Sequence, residues 1–230
     1  MLGNGVLYDL GSHLIDQALV LFGLPDRVYG SVRDERGGWR YGHDAAFLDD
    51  AFDAVLYYDA TTTTTTTTTT AAAAAAVASS GSTRDKGLMV RLSASSTSLC
   101  ARQTRFVVHG SAAGWEKRGL DPQEGQAKGG MRVDDARFGC EEDPDTWGVL
   151  TTPEQGRGGL GATHQEAVPS ERGCYRRFLA NVAAVLRGRE PCLEVLPQQA
   201  ADVVRVIELV FRSEREGRVL PVRAGAASCA

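Results

Sequence analysis

The 230-residue chain lacks the features that mark several classes of protein. Its apolar runs are far shorter than the roughly 20 residues of a membrane-spanning helix, and its first residues lack the basic start of a signal peptide. Lys and Arg form only short pairs and the net charge is −4, so the chain has no basic surface for a nucleic-acid backbone or an acidic membrane. These absences predict a soluble, cytoplasmic protein without a nucleic-acid or membrane partner.

Cysteine is scarce and scattered. The chain has five cysteines with no C-x-x-C pair, and its four histidines are equally dispersed. An odd number of isolated cysteines argues against a disulfide framework and against a zinc site, so we predict no metal.

With 230 residues, of which 43% are hydrophobic, the chain is long enough for one large or two small domains with a core.

A helix is predicted near the start of the chain. Over residues 5–22 the apolar side chains recur at spacings of three and four, and Gly23 followed by Pro25 ends the pattern. We expect five of these side chains to share one buried face: Leu7, Leu10, Leu14, Ala18 and Leu21.

Strands and two further helices follow. Alternation at period two predicts strands in four stretches: RVYGSVR, DAFDAVLYYDA, LMVRLSASSTSL and the strand–turn–strand TRFVVHGSAAGWEKRG. Phe178, Val182 and Val185 lie at helical spacing, and a short strand is expected before a second helix that begins at Pro197. The predicted apolar stripe of this second helix is Val203, Val206, Ile207, Val210 and Phe211. This order of elements predicts an α+β fold, mostly an antiparallel β-sheet with helices packed on one face.

We predict one domain over residues 1–222, followed by a tail at 223–230. Ten threonines at 61–70 and six alanines at 71–76 cannot encode a unique packed face, so residues 60–87 are predicted to be a flexible low-complexity insertion. Residues 125–170 are rich in Gly, Pro and charge and are expected to form a long surface excursion.

Asp9 and His13 interrupt the first helix at a spacing of four, which places them on one edge of it. A carboxylate at this distance can orient an imidazole and tune it for proton transfer. Gly11 lies between them and leaves room for a flat group to approach the backbone. The alternative is a solvated surface pair, which stabilises a helix by only a few tenths of a kcal/mol.

Three segments, in order along the chain, resemble segments of the Gfo/Idh/MocA oxidoreductases, the family of glucose-fructose oxidoreductase and inositol dehydrogenase. They are GVLYDLGSHLIDQALVLFGLPDRVYG, RFVVHGSAAGWEKRGLDPQE and YRRFLANVAAVLRGREPCLEVLPQQAADVVRVIELVFRSEREGRVL. The resemblance implies the C-terminal, substrate-side domain of such an enzyme, with NAD or NADP as cofactor. It also implies a small sugar or polyol substrate, inositol-like, and a homo-oligomer formed through the sheet.

The resemblance also implies roles for individual residues. Asp9 and His13 match the pair that faces the nicotinamide and the reacting carbon, with His13 as the base or acid and Asp9 as the group that holds it. Gly11 would lie close to the cofactor. Tyr175 and Asn181 could lie near the substrate pocket, although a core or capping role is the alternative for each.

The chain departs from the family pattern at its start. No dinucleotide-binding domain and no Glu-Lys-Pro motif are visible, and the letters G-x-G-x-x-G at residues 156–161 lack the strand and helix that would make them a phosphate site. Three hypotheses remain open: the C-terminal part of a dehydrogenase that is inactive alone, a binding or oligomerisation module that pairs with full-length relatives, or the product of a decaying gene.

Overall fold

A computed structural model describes residues 4–38, 40–41, 48–60, 87–101, 103–140, 143–154 and 162–222. They form two compact units, unit 1 from the described parts of 1–98 and 196–230 and unit 2 from those of 99–195. The Thr/Ala tract, the G-x-G-x-x-G letters and the tail lie outside the described residues. Among the helices within these ranges, none has the length and apolar character to cross a bilayer.

Unit 1 is built on a five-stranded antiparallel sheet. Its centre is β1 (Arg27–Asp34), β3 (Ala51–Tyr58) and β4 (Leu88–Ser95), paired in that order. On the edge of β1 that faces away from β3, the short strand β2 (Arg40–Tyr41) pairs with the end of β1 and the short strand β9 (Leu220–Pro221) pairs with its beginning. Side chains alternate strictly between the two faces, because neighbouring residues of a strand point to opposite sides of a sheet.

Two helices cover one face of this sheet. Helix α1 (Val6–Phe22) lies over β3 and β4, and helix α4 (Pro197–Glu216), the last of the chain, lies over β1. The core is formed by apolar side chains from both helices and from the inner face of the sheet: Leu7, Ile15, Ala18, Val28, Val32, Phe52, Leu56, Val203, Val206, Ile207, Val210 and Leu220. Burial of this stripe of α4 confirms its predicted apolar face.

Helix α4 lies unusually close to β1. A Cβ on Gly30 would come 2.5 Å from Val210 Cγ1 and 2.7 Å from the Val210 carbonyl oxygen. The Gly30 N–H donates to Ser213 Oγ at 3.0 Å, and the Val32 N–H donates to Glu214 Oε2 at 3.1 Å. Side chains of α4 thus satisfy the edge amides of β1 between its short partners β2 and β9, which protects that edge.

Unit 2 contains a second antiparallel sheet of four strands in chain order: β5 (Phe106–His109), β6 (Gly114–Lys117), β7 (Gly148–Pro153) and β8 (Thr163–Val168). Between β6 and β7 lie the six-residue helix α2 (Gln123–Lys128) and a 3₁₀ turn at Pro144–Thr146. Helix α3 (Tyr175–Leu186) follows β8. The predicted surface excursion at 125–170 therefore contains two strands of regular sheet.

The α+β class with antiparallel sheets is confirmed, and two details of the prediction are wrong. The buried stripe of α1 is Leu7, Gly11, Ile15 and Ala18, whereas Leu10 is 45% and Leu21 is 57% exposed. The helix rests on the sheet through its small residues, which allow the closest approach. The short strand expected before Pro197 is also absent: described residues 187–196 form an irregular loop.

Candidate active site

Asp9 and His13 lie on the exposed side of α1, one helical turn apart. Residues at this spacing have Cβ atoms about 5–6 Å apart, close enough for a carboxylate to orient an imidazole. Within the part of the chain that the structure describes, neither side chain takes part in a hydrogen bond or an ion pair. Both groups are therefore available to a ligand that approaches this face of the helix.

Apolar side chains flank the pair. Leu10, Val20 and Leu21 of α1 are exposed as well; by helical spacing Val20 lies in line with Asp9 and His13, while Leu10 and Leu21 lie to one side of them. The result is a helix face that combines two ionisable groups with a strip of apolar surface.

Gly11 lies on the opposite side of α1, against the sheet. A Cβ at this position would come 2.7 Å from Leu7 Cδ1 and 3.2 Å from Phe52 Cζ. The space that its missing side chain leaves is thus filled by the core, and its small size lets α1 approach β3. A cofactor-proximal position for Gly11 stays a prediction.

The first turn of α1 is held by a residue that the sequence analysis missed. The buried Asp49, just before β3, accepts the Leu7 N–H on its Oδ2 at 2.7 Å, and its backbone oxygen accepts the Val6 N–H at 3.0 Å. Burial raises the pKa of Asp49, and the neighbouring charge of Asp50 adds to this, while the bonds from the helix amides oppose it. A carboxylate at a helix N-terminus also complements the helix dipole.

Tyr8 links the candidate helix to α4. Its ring stacks on Phe211 with a centroid distance of 5.7 Å. Burial raises the pKa of the Tyr8 hydroxyl, and the charges of Glu208 and Asp49 raise it further. The half-buried ring of Tyr8, the residue before Asp9, is thus packed against the core of unit 1.

Tyr175, predicted near the substrate pocket, is the first residue of α3 in unit 2, and its side chain is half exposed. Its N–H donates to Gln123 Oε1 at 2.9 Å, and Gln123 Nε2 donates to both carboxylate oxygens of Asp121 at 3.0 and 3.1 Å. A side chain at Gly173 would collide with Asp121 and Gln123. This cluster around the buried Gln123 fixes the start of α3 and leaves the Tyr175 ring accessible.

Asn181, also in unit 2, fastens a loop to α3. Its Oδ1 accepts the Glu194 N–H at 2.9 Å, and its Nδ2 donates to the Cys192 carbonyl at 3.4 Å. The residue lines an open groove of about 400 Å³ between α3 and this loop. The two hydrogen bonds give Asn181 a structural role, while its part in substrate binding stays a prediction.

The whole chain matches one protein family. Residues 2–223 match the family model described as "Oxidoreductase family, C-terminal alpha/beta domain", that of Gfo/Idh/MocA. The chain belongs to this family. The resemblance inferred from three sequence segments is thereby confirmed.

Relatives of this domain are oxidoreductases about twice as long as the chain. The scyllo-inositol 2-dehydrogenase (NADP(+)) IolW of Bacillus subtilis is 28% identical over 94% of this chain and 49% of its own length. The uncharacterized oxidoreductase YdgJ of Escherichia coli is 30% identical over 95% of this chain and 50% of its own length. The chain thus spans about half the length of these relatives.

Solved structures agree with the fold. The Bacillus subtilis protein YvaA superimposes with a TM-score of 0.71 at 28% identity, covering 96% of this chain and 53% of YvaA. An oxidoreductase structure from Bacteroides fragilis gives a TM-score of 0.68 at 27% identity, covering 94% of this chain and 53% of its own.

The described residues lack the dinucleotide-binding part of a nicotinamide-dependent site. Among them, no strand leads through a glycine-rich turn into a helix, the arrangement that holds a dinucleotide pyrophosphate. Asp9 and His13 fit the other requirement of such a site, a group that moves a proton while the cofactor carries the hydride.

Proposed function

We propose that this chain is the substrate-side part of an NAD(P)-dependent oxidoreductase that acts on a CH–OH group of a sugar or polyol. The observation that carries the proposal is the exposed Asp9–His13 pair on α1, in a chain that belongs to this oxidoreductase family. The Bacillus subtilis relative acts on scyllo-inositol with NADP(+), which supports an inositol-like polyol as the substrate class.

The two residues divide the proton chemistry between them. Bound NAD(P) supplies the acceptor for a hydride from the substrate carbon. A ring nitrogen of His13 accepts the proton of the substrate hydroxyl, and the Asp9 carboxylate orients the ring and stabilises the imidazolium that forms. General acid–base catalysis of this kind contributes about 10²–10⁴-fold to a rate.

Tyr175 and Asn181 are proposed to contact substrate hydroxyls. The Tyr175 hydroxyl can donate and accept, and its ring is exposed. Asn181 uses one amide donor and one lone pair in binding its own loop, which leaves one donor and one lone pair for a ligand. A polyol offers several hydroxyls of matching character.

The cofactor is proposed to come with a second domain. The chain spans about half the length of its relatives, and the exposed Leu10, Val20 and Leu21 beside Asp9 and His13 are suited to be covered by that domain. We therefore expect no turnover from the chain alone.

The proposal is tested by joining this chain to the half of the Bacillus subtilis inositol dehydrogenase that it does not match. Reduction of NAD⁺ and NADP⁺ is followed by absorbance with a panel of inositols and sugars. We expect turnover of at least one polyol by the joined protein and none by the chain alone. A joined protein that binds NADPH and folds, yet oxidises no member of the panel, would contradict the proposed activity.

A second candidate, a binding module that assembles through its sheet, has its own support. The helices of unit 1 cover only one face of the sheet, and the other face carries Tyr29, Val55, Tyr57 and Met89, with Met89 52% exposed. We propose that two copies pair through this face. Sedimentation should give a dimer for the chain and a monomer for Tyr29→Glu, whereas Leu99→Glu, at a fully exposed position outside the sheet, should remain dimeric.

A further inference from the structure

Helix α1 has no N-terminal cap of its own. Its N-cap residue is Gly5, which has a backbone φ of 100° and no side chain to accept an amide proton. The first N–H groups of a helix need such acceptors, and Ser, Thr, Asp or Asn normally supply them from within the helix. The helix that carries the candidate catalytic pair therefore depends on an acceptor from elsewhere.

Asp49 supplies that acceptor from 42 positions away in sequence. Its carboxylate and its backbone oxygen together take the N–H groups of Val6 and Leu7. A Cβ on Gly5 would collide with the same carboxylate, so the glycine is what allows Asp49 to approach the helix axis. Asp49 itself is only 3% exposed.

The position of Asp49 is fixed from the sheet. It lies two residues before the start of β3, and the next residue, Asp50, accepts the N–H groups of Glu35 and Arg36 at 2.7 and 3.1 Å in the turn that follows β1. Asp50 also accepts the Ser96 N–H on its backbone oxygen at 2.9 Å. The segment thus transmits the geometry of the sheet to the first turn of α1.

Asp9 lies in the first turn of the helix, and its N–H donates to the Gly5 carbonyl at 3.0 Å. The placement of Asp9 therefore follows from the placement of Gly5, Val6 and Leu7. We propose that Asp49 is a positioning residue, which sets the orientation of the first turn of α1 and hence the placement of Asp9 and, one turn further on, of His13. The inference rests on the proposed function for its catalytic meaning, but its geometry can be tested without activity.

The test compares four forms of the full 230-residue chain labelled with ¹³C-histidine and ¹⁵N: wild type, Asp49→Ala, Asp49→Asn and Asp50→Asn. His13→Ala identifies the His13 ring signals among the four histidines. Asp49→Asn retains a carbonyl acceptor, and Asn caps a helix about as well as Asp. Asp50→Asn removes the neighbouring charge, while its amide oxygen can still accept the Glu35 N–H and its backbone oxygen the Ser96 N–H, so Asp49 and the α1 cap should stay in place.

We expect Asp49→Ala to speed exchange of the Leu7 amide by about fivefold or more, the effect of losing a typical cap. It should also shift the His13 ring signals at fixed pH, while amides of the C-terminal half of α1 keep their wild-type exchange. Asp49→Asn and Asp50→Asn should both leave the His13 signals in place. If Asp49→Ala does not fold, wild-type His13 signals in Asp49→Asn still support the role of the acceptor.

Two results would overturn the inference. One is a folded Asp49→Ala variant with unchanged His13 signals. The other is an Asp49→Asn variant whose His13 signals move despite its retained acceptor. Neither result depends on turnover, so a failure here is distinguishable from a failure of the proposed oxidoreductase activity.

Discussion

The contact between β1 and α4 gives the sharpest prediction about the fold. Gly30→Ala places a methyl group 2.5 Å from Val210 Cγ1 and within 3.0 Å of the Val210 Cα and carbonyl oxygen. Ordinary carbon contacts are about 3.5–4.0 Å, so α4 must move away by roughly 1 Å. Because two of the three contacted atoms belong to the backbone, no change of side-chain rotamer relieves the clash.

Two effects of Gly30→Ala lower the free energy of unfolding, and a third raises it. Overpacking a well-packed core costs about 1–3 kcal/mol. The shift also weakens the hydrogen bond from Gly30 to Ser213, which contributes about 1 kcal/mol. Against these, replacing Gly by Ala stabilises by about 0.4–1 kcal/mol through the unfolded chain. We therefore expect Gly30→Ala to lower the free energy of unfolding of unit 1 by about 2 kcal/mol.

Urea denaturation followed by circular dichroism measures this change. Gly125→Ala is the matched control, since a Cβ at Gly125 in α2 meets no atom within 4 Å, and there the same substitution should be neutral or stabilising. A Gly30→Ala protein as stable as wild type would refute the close packing of α4 on β1.

Three further predictions concern buried polar groups. Ser213→Ala leaves the Gly30 N–H without its acceptor and should lower the free energy of unfolding, measured in urea, by about 1–3 kcal/mol. A loss below about 0.5 kcal/mol would contradict this prediction. Gln123→Glu puts a second carboxylate against Asp121, so folding raises the pKa of the introduced carboxylate. The loss of thermal stability should therefore be large at pH 7 and shrink towards pH 4, and a loss independent of pH would count against the cluster. Because folding raises the pKa of Asp49, wild-type stability falls as pH rises through that pKa. In thermal melts Asp49→Asn should therefore gain stability relative to wild type between about pH 4 and 7. A difference between the two proteins that stays constant with pH would contradict this.

The sequence predicted best where one helix face is clearly apolar. In α4 the stripe of Val203, Val206, Ile207 and Val210 stands against charged neighbours, and all four residues are buried. In α1 leucines occur on two faces, so periodicity alone could not decide which face meets the sheet. Gly11 and Ala18 decided it, because small residues allow the helix to approach the sheet most closely.

Long-range contacts explain what the sequence did not predict. The role of Asp49 arises from hydrogen bonds to residues 42 positions away, and no local pattern around it indicates a helix cap. Strands β7 and β8 lie in a stretch whose composition resembles that of a loop, and almost all their side chains remain at least partly exposed, so they show little of the alternation that burial imposes. Helical spacing predicted that Asp9 and His13 are exposed, whereas the catalytic role proposed for them depends on the resemblance to the family.

The proposed transfer of the substrate proton by His13 is tested most directly by chemical rescue in the joined enzyme, where His13→Ala is assayed with and without free imidazole. His164→Ala, which removes an exposed histidine from β8, serves as the control. We predict that His13→Ala lowers kcat by about 10²-fold or more, that added imidazole restores part of it, and that His164→Ala changes neither value. Near-normal turnover of His13→Ala would contradict the account.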